Sequence, residues 1–231
     1  MGLPFYLAMT AAEIRCAQSL PASVAYMACH FSPYSTGLSN LPDVLPPGSI
    51  LMLNDRIPIH RHDPLRIRTQ LWEAVEEFSC DALVLDLQRP ELPEQLSLCG
   101  SLVEGLPCPV AVSELYATEL DCPVFLSAPQ IDCPLAEYIA PYRDREIWLE
   151  AAPDARCFTV TKEGCSVHPL SEPPGESCLE DKALHCRYSF EADKQAARFH
   201  LWRTADDLKD IREQRITRLI GLYQEFVTDI P

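Results

Sequence analysis

Eight short runs of mostly apolar residues, each bounded by proline, glycine or polar positions, recur along the chain. They lie at 4–8, 23–29, 49–54, 82–87, 109–113, 123–127, 146–151 and 219–224. Within each run the apolar residues are continuous rather than alternating, which is the pattern of parallel strands buried on both faces. Segments with helical spacing fall between several of them, at 10–18, 63–79, 91–104, 134–140 and 205–216. The clearest is 63–79, where Leu65, Leu71, Trp72, Val75 and Phe78 recur at helical spacing, Asp63 suits an N-cap and Pro64 the first turn. Strands and helices alternating in this way predict an α/β fold, a (β/α)8 TIM barrel.

The rhythm breaks between 156 and 204. Residues 156–170 alternate around a Lys-Glu-Gly turn and residues 186–203 around Ala192-Asp193-Lys194-Gln195, so two antiparallel hairpins are expected, with a loop at 171–181 between them. The whole chain, 1–231, then reads as a single TIM-barrel domain carrying a small β-hairpin insertion near residues 156–204, after the seventh strand. The longest remaining loop, 30–48, follows the second strand, and long loops at that end of a barrel serve its active face.

Composition narrows the partners. The 34 acidic and 19 basic residues leave a net charge of −15, which repels phosphate backbones and anionic membrane surfaces, so no nucleic acid and no membrane partner is expected. No apolar run is long enough to span a bilayer. The N-terminal stretch lacks the basic segment of a signal peptide and reads as mature structure. The eleven cysteines are odd in number, form no Cys-x-x-Cys pair and sit inside or beside apolar runs, which fits reduced thiols and a cytoplasmic location. With eight glycines and no phosphate-binding glycine loop, no nucleotide cofactor is expected, and none of another kind is indicated. His60-x-His62-Asp63 has the look of a metal ligand set, but Pro58 and Pro64 place it in a loop, so no metal is expected either.

A barrel presents chemistry at the C-terminal ends of its strands. Those ends offer His30 and Tyr34 after the second run, Asn54, Asp55 and Arg56 after the third, and Asp86, Gln88 and Arg89 after the fourth. Glu114 and Tyr116 follow the fifth, Glu150 and Asp154 the seventh, and Tyr223 and Glu225 the eighth. Asp86 and Gln88 share one side of their strand because side chains alternate with period two. An acidic mouth bearing Tyr34, Tyr116 and Tyr223 suits neutral polyols such as sugars, whose hydroxyls need acceptors and whose rings pack on aromatics. Asp55 and Glu114 would add ligand contacts.

The segment Asp81-Ala82-Leu83-Val84-Leu85-Asp86-Leu87-Gln88 resembles the D-G-x-D-x-D-x-E signature of the family 18 glycoside hydrolases, chitinase-like barrels that carry it on their fourth strand. Asp81 matches the first aspartate and Asp86 the third, whereas Ala82 replaces the glycine and Val84 the second aspartate. Gln88 stands where the acid glutamate belongs. The family's glycine-rich third-strand ending is replaced by Leu53-Asn54-Asp55, and its M-x-Y-D on strand six is missing. The resemblance implies a carbohydrate ligand, with Asp86 in the position that orients a substrate acetamido group and Gln88 unable to protonate a glycosidic oxygen. A divergent, carbohydrate-binding barrel without the usual acid is the leading expectation. Two alternatives stand beside it: an active glycosidase using Asp86 with Glu150 or Glu225, and a non-catalytic cytosolic scaffold whose insertion binds a protein partner. The pattern specifies neither the sugar nor an oligomeric state.

Overall fold

The strand runs are apolar on both sides because each strand has two layers to satisfy. In the computed structural model, which describes residues 3–55, 62–89, 93–170, 178–209, 211 and 215–226, β1 (Phe5–Met9), β2 (Val24–Phe31), β4 (Ile50–Asn54), β5 (Ala82–Asp86), β6 (Val110–Ser113), β7 (Val124–Leu126), β8 (Ile147–Ala151) and β14 (Ile216–Leu222) form one parallel sheet. The sheet closes on itself, since β1 pairs with both β14 and β2. This is the eight-stranded (β/α)8 barrel expected from the runs.

Alternation sorts each strand between two cores. Met52 of β4, Val84 of β5, Trp148 of β8 and Ile220 of β14 fill the barrel interior together with Tyr6, Ala8, Ala25 and Phe125. Their neighbours Leu51, Leu53, Leu83 and Leu85 point outward and pack with Ile67, Leu71 and Val75 of α2 (Pro64–Glu77) and Leu98 and Leu102 of α3 (Pro93–Gly105). A second outer cluster joins Leu135 and Ile139 of α4 (Leu135–Ile139) to Ile147, Leu149 and Leu219. At the interior's lower end Arg218 lies over the Trp148 ring at 4.2 Å, and the Trp148 indole donates to Glu146 at 2.8 Å.

The helices begin where their caps dictate. Asp63 accepts from the backbone of Leu65 and Arg66 at the start of α2, and Thr10 and Glu13 form a reciprocal capping box on α1 (Ala11–Cys16). Several expected elements differ. The last strand spans 216–222 rather than 219–224, because Arg218, polar in the sequence pattern, faces inward over Trp148, so Tyr223 and Glu225 fall in α6 (Tyr223–Phe226). The expected loop 30–48 contains a short strand, β3 (Leu38–Ser39), paired antiparallel with the end of β2.

The insertion is a five-stranded antiparallel sheet in the order β10-β9-β13-β12-β11. Its two expected hairpins are β9 (Arg156–Thr161) with β10 (Gly164–Pro169) and β12 (Cys186–Ala192) with β13 (Ala196–Trp202), joined through β9 and β13. Asp193 closes the second turn by accepting from Gln195 and Ala196. The segment expected as a loop contributes a fifth strand, β11 (Leu179–Asp181), while its residues 171–177 lie outside the described residues. The chain then enters α5 (Ala205–Lys209), shorter than the expected helix, before returning to the barrel. At the exit of β13 the buried Arg203 guanidinium donates to the carbonyls of Pro129 at 3.0 Å, Gln130 at 3.4 Å and Leu184 at 3.2 Å. It thereby ties the insertion to the loop between β7 and α4.

Candidate functional site

Alternation that places Met52, Val84, Phe125, Trp148 and Ile220 in the interior continues upward to Asn54, Asp86, Ser127, Glu150 and Leu222 at the C-terminal end. There the side chains stop filling the barrel and enclose a cavity of about 330 Å³. Its polar wall consists of Asn54, Asp55, Asp86, Gln88, Ser127 and Glu150, and its floor of Ala8, Met27, Met52, Phe125, Ile220 and Leu222. An apolar floor beneath a few convergent polar groups is the usual make-up of a small-molecule site.

The polar wall is tightly organised. The Gln88 amide donates to Asp86 Oδ1 at 2.6 Å, so the two side chains form one unit. Asp55, only 3% exposed, accepts from the backbone N–H of Gln88 at 3.0 Å and so holds the chain just past β5 in place. Leu87 between them points into the outer core, which keeps Asp86 and Gln88 turned toward the barrel axis. Glu150 accepts from the backbone of Ala128 at 3.1 Å and thereby steadies the loop after β7.

Asn54 serves the backbone as well as the cavity. The pairing of β2 with β4 shifts register between Tyr26 and Cys29, and the Asn54 amide donates to the carbonyls of Met27 at 3.0 Å and Cys29 at 2.9 Å at that irregularity. Asn54→Leu strips the donor from both carbonyls, and about 2 kcal/mol of stability is expected to disappear. Urea unfolding monitored by circular dichroism checks this, and an unchanged midpoint would show that the shifted strand does not depend on Asn54.

The other expected site residues lie elsewhere. Tyr116 is 1% exposed and packed in the outer core, Tyr34 is 97% exposed on the loop between β2 and β3, and Tyr223 packs against the outer core from α6. None of these tyrosines lines the cavity: Tyr34 projects from a loop, while Tyr116 and Tyr223 pack in or against the outer core. Glu114, in the 3-10 turn after β6, accepts from the Tyr142 hydroxyl at 3.4 Å. Glu225 is exposed on α6, and its pKa is raised by partial desolvation and by the negative charges of Glu150 and Asp154. Arg56 and His60 lie outside the described residues. Of the His60-x-His62-Asp63 set, the His62 ring lies tilted 6.3 Å from that of Phe31 and Asp63 caps α2. Sequence reasoning missed Ser127 and the floor, yet period-two alternation from Phe125 points to Ser127 directly.

The raised pKa of Glu225 has a definite sign. A carboxyl whose pKa is higher in the folded chain favours folding below its unfolded value, and that contribution vanishes as pH rises through the folded value. At neutral pH the ionised Glu225 therefore opposes folding, and Glu225→Gln is expected to raise the melting temperature at pH 7, with the gain shrinking toward pH 4 and below. A melting curve of the variant that tracks the wild type at both pH values contradicts this.

The fold and cavity together define a (β/α)8 barrel with a carboxylate- and amide-walled pocket at the C-terminal end of its strands. Three solved structures share its architecture. The spore cortex-lytic enzyme SleL of Bacillus cereus superimposes with a TM-score of 0.57 at 9% identity, over 95% of this chain and 70% of that one. SleL of Bacillus megaterium QM B1551 gives a TM-score of 0.54 at 10% identity, over 96% of this chain and 70% of that one. The ydhD protein of Bacillus subtilis, assigned as a sporulation-specific glycosylase, gives 0.51 at 9% identity, over 85% and 90% of the two chains. At such identities the likeness is one of fold. No protein-family model and no curated protein matches the sequence.

Proposed function

We propose that this chain is a divergent glycoside-hydrolase-like barrel that binds carbohydrate in the β5-centred cavity and lacks the general acid of the family 18 mechanism. The observation that carries the proposal is the Asp86–Gln88 unit. The two residues that correspond to the last acidic positions of that signature meet in an open pocket at the strand ends, and one of them is an amide. An amide offers a sugar hydroxyl both a donor and an acceptor, but it has no ionisable proton to give a leaving oxygen. The barrel architecture shared with cortex-lytic and glycosylase structures supports a sugar as ligand. Eleven unpaired cysteines support a reducing, cytoplasmic setting. The chain has no helix among the described residues that is long and apolar enough to cross a membrane.

Isothermal titration against chitooligosaccharides and a panel of other glycans tests this reading. One of them is expected to bind, and Asp86→Ala to weaken that binding at least about tenfold, roughly the effect of losing one charge-assisted hydrogen bond. Failure of every glycan to bind would refute the proposal. A second reading, an active glycosidase, takes Glu225 as the acid: partial desolvation and the charges of Glu150 and Asp154 raise its pKa, and a ligand reaching past the cavity rim to α6 would meet it. In that case the wild type hydrolyses the glycan it binds and Glu225→Gln abolishes turnover without abolishing binding.

A further inference from the structure

The insertion sheet has two chemically different faces. Strand register aligns Val167, Phe158, Phe199 and Phe190 in one row across β10, β9, β13 and β12. Two-residue alternation adds Val160, Leu201, Tyr188 and Leu179 to the same side, while Thr159, Ser166, Ser189, Arg198 and His200 take the other. Among the described residues, no second layer packs on the apolar side. Val160, Val167, Leu179, Phe190 and Phe199 are 42%, 45%, 62%, 53% and 36% exposed, and they make up five of the nine large exposed hydrophobic residues among those described. An amphipathic sheet ordinarily buries such a face against a second layer.

This face also has relief. A depression of about 250 Å³ is lined by Leu184, Cys186, Tyr188, Phe199 and Leu201, with Asp181 at its edge. Beside it stands Phe190, tilted against Phe199 with ring centroids 4.8 Å apart and still half exposed. A projecting aromatic and an apolar hole on one surface meet the condition for a two-fold contact, in which each copy offers what the other receives.

Charge selects the same occupant. The rows of this face carry only Arg156 and Asp181 as charged residues, and both are engaged: Arg156 with Asp154 at 2.7 Å, and Asp181 with the backbone of Ala183 and Leu184. In a chain of net charge −15, a like-charged copy approaches at least cost through a patch of this kind. We propose that the apolar face is the contact surface between two copies of this chain, with the Phe190 of each seated in the Tyr188–Phe199–Leu201 depression of the other and the two sheets stacked face to face. Five strands at the usual spacing and length present on the order of 500 Å² per copy, against about 800 Å² per partner in a standard stable interface. The dimer is therefore weak and reversible.

Sedimentation velocity of the full chain over a wide concentration range is the test. The mass is expected to rise from 25.9 kDa toward twice that value with concentration, and to rise further with added salt, which screens the repulsion between copies. Phe190→Asp is expected to be monomeric throughout with an unchanged far-ultraviolet spectrum. Leu115→Asp, at a residue 43% exposed outside the insertion, is expected to dimerise like the wild type. A wild type that stays monomeric, a Phe190→Asp variant that still dimerises, or a dimer dissolved by salt would each overturn the proposal. A wild type that stays monomeric and loses glycan binding on Phe190→Asp would overturn it and assign the face to sugar instead. A dimer in a chain that binds no glycan leaves this inference standing and removes only the carbohydrate reading.

Discussion

Replacing Arg203 by methionine is expected to loosen the insertion from the barrel and to lower stability on the order of 3 kcal/mol. The guanidinium is 4% exposed and makes four hydrogen bonds to three carbonyls, of Pro129, Gln130 and Leu184. Two of these acceptors belong to the loop after β7 and one to the turn between β11 and β12, so one side chain links segments far apart in sequence. Burial disfavours the charged form and lowers the Arg203 pKa, so the substitution also relieves a desolvation cost. The lost bonds outweigh that relief because each involves a charged donor, and each stranded carbonyl costs about 1–3 kcal/mol. Lysine keeps the charge but not the planar fork of donors, so Arg203→Lys is expected to recover only part of the loss. Arg156→Met is the control. Arg156 pairs with Asp154 at 2.7 Å while more than a third exposed, and its removal is expected to cost less than about 1 kcal/mol. Urea unfolding followed by tryptophan fluorescence, to which the buried Trp202 beside Arg203 contributes, separates the two variants. Equal midpoints for Arg203→Met and the wild type would mean that the insertion is held by other contacts.

On the proposed carbohydrate reading, placing an acid at position 88 is expected to confer or greatly increase glycan hydrolysis. In Gln88→Glu the new carboxyl lies where the amide now meets Asp86 Oδ1 at 2.6 Å, and two carboxyls so close share a proton. Like-charge repulsion raises the pKa of one of them, so the proton is retained toward neutral pH, where a general acid needs it. A positioned acid typically contributes on the order of 10² to 10⁴ in rate, which sets the expected gain. Activity should fall on the alkaline side as the shared proton is lost, and Asp86→Asn in the Gln88→Glu background should return it to baseline. A fluorogenic glycoside assay across pH reads both effects. No gain in a variant that still binds glycan would mean that Asp86 and position 88 do not flank a scissile bond. Wild-type turnover equal to that of the variant would move the acid to Glu225.

Both predictions rest on features that differ in how early they become visible. The phase of Asp86 and Gln88 is apparent from the apolar run alone, because a strand's two-residue period is a local property and Leu85 and Leu87 mark the buried outer side. The same logic reaches Asn54, Glu150 and Ser127. It fails for Tyr34, Tyr116 and Tyr223, since once a strand ends nothing local dictates whether the chain turns toward the axis or into the outer core. The eighth strand begins before its apolar run for a related reason: Arg218 interrupts the apolar pattern and finds its partner only in the Trp148 face.

From its residues by themselves, then, this protein determined eight doubly buried strands, their alternating phase, two hairpins interrupting them, and an amide at position 88. Each is set by neighbours a few positions apart, through backbone geometry and the drive to bury apolar side chains. Only the closed barrel decided that Asp55, Asp86, Gln88 and Glu150 share one cavity while Glu114 and Glu225 stay outside it. Only the folded insertion decided that Arg203 reaches across to Pro129 and that an aromatic sheet face is left open. Convergence of groups scores of residues apart depends on strand closure and packing, which no short stretch of sequence encodes.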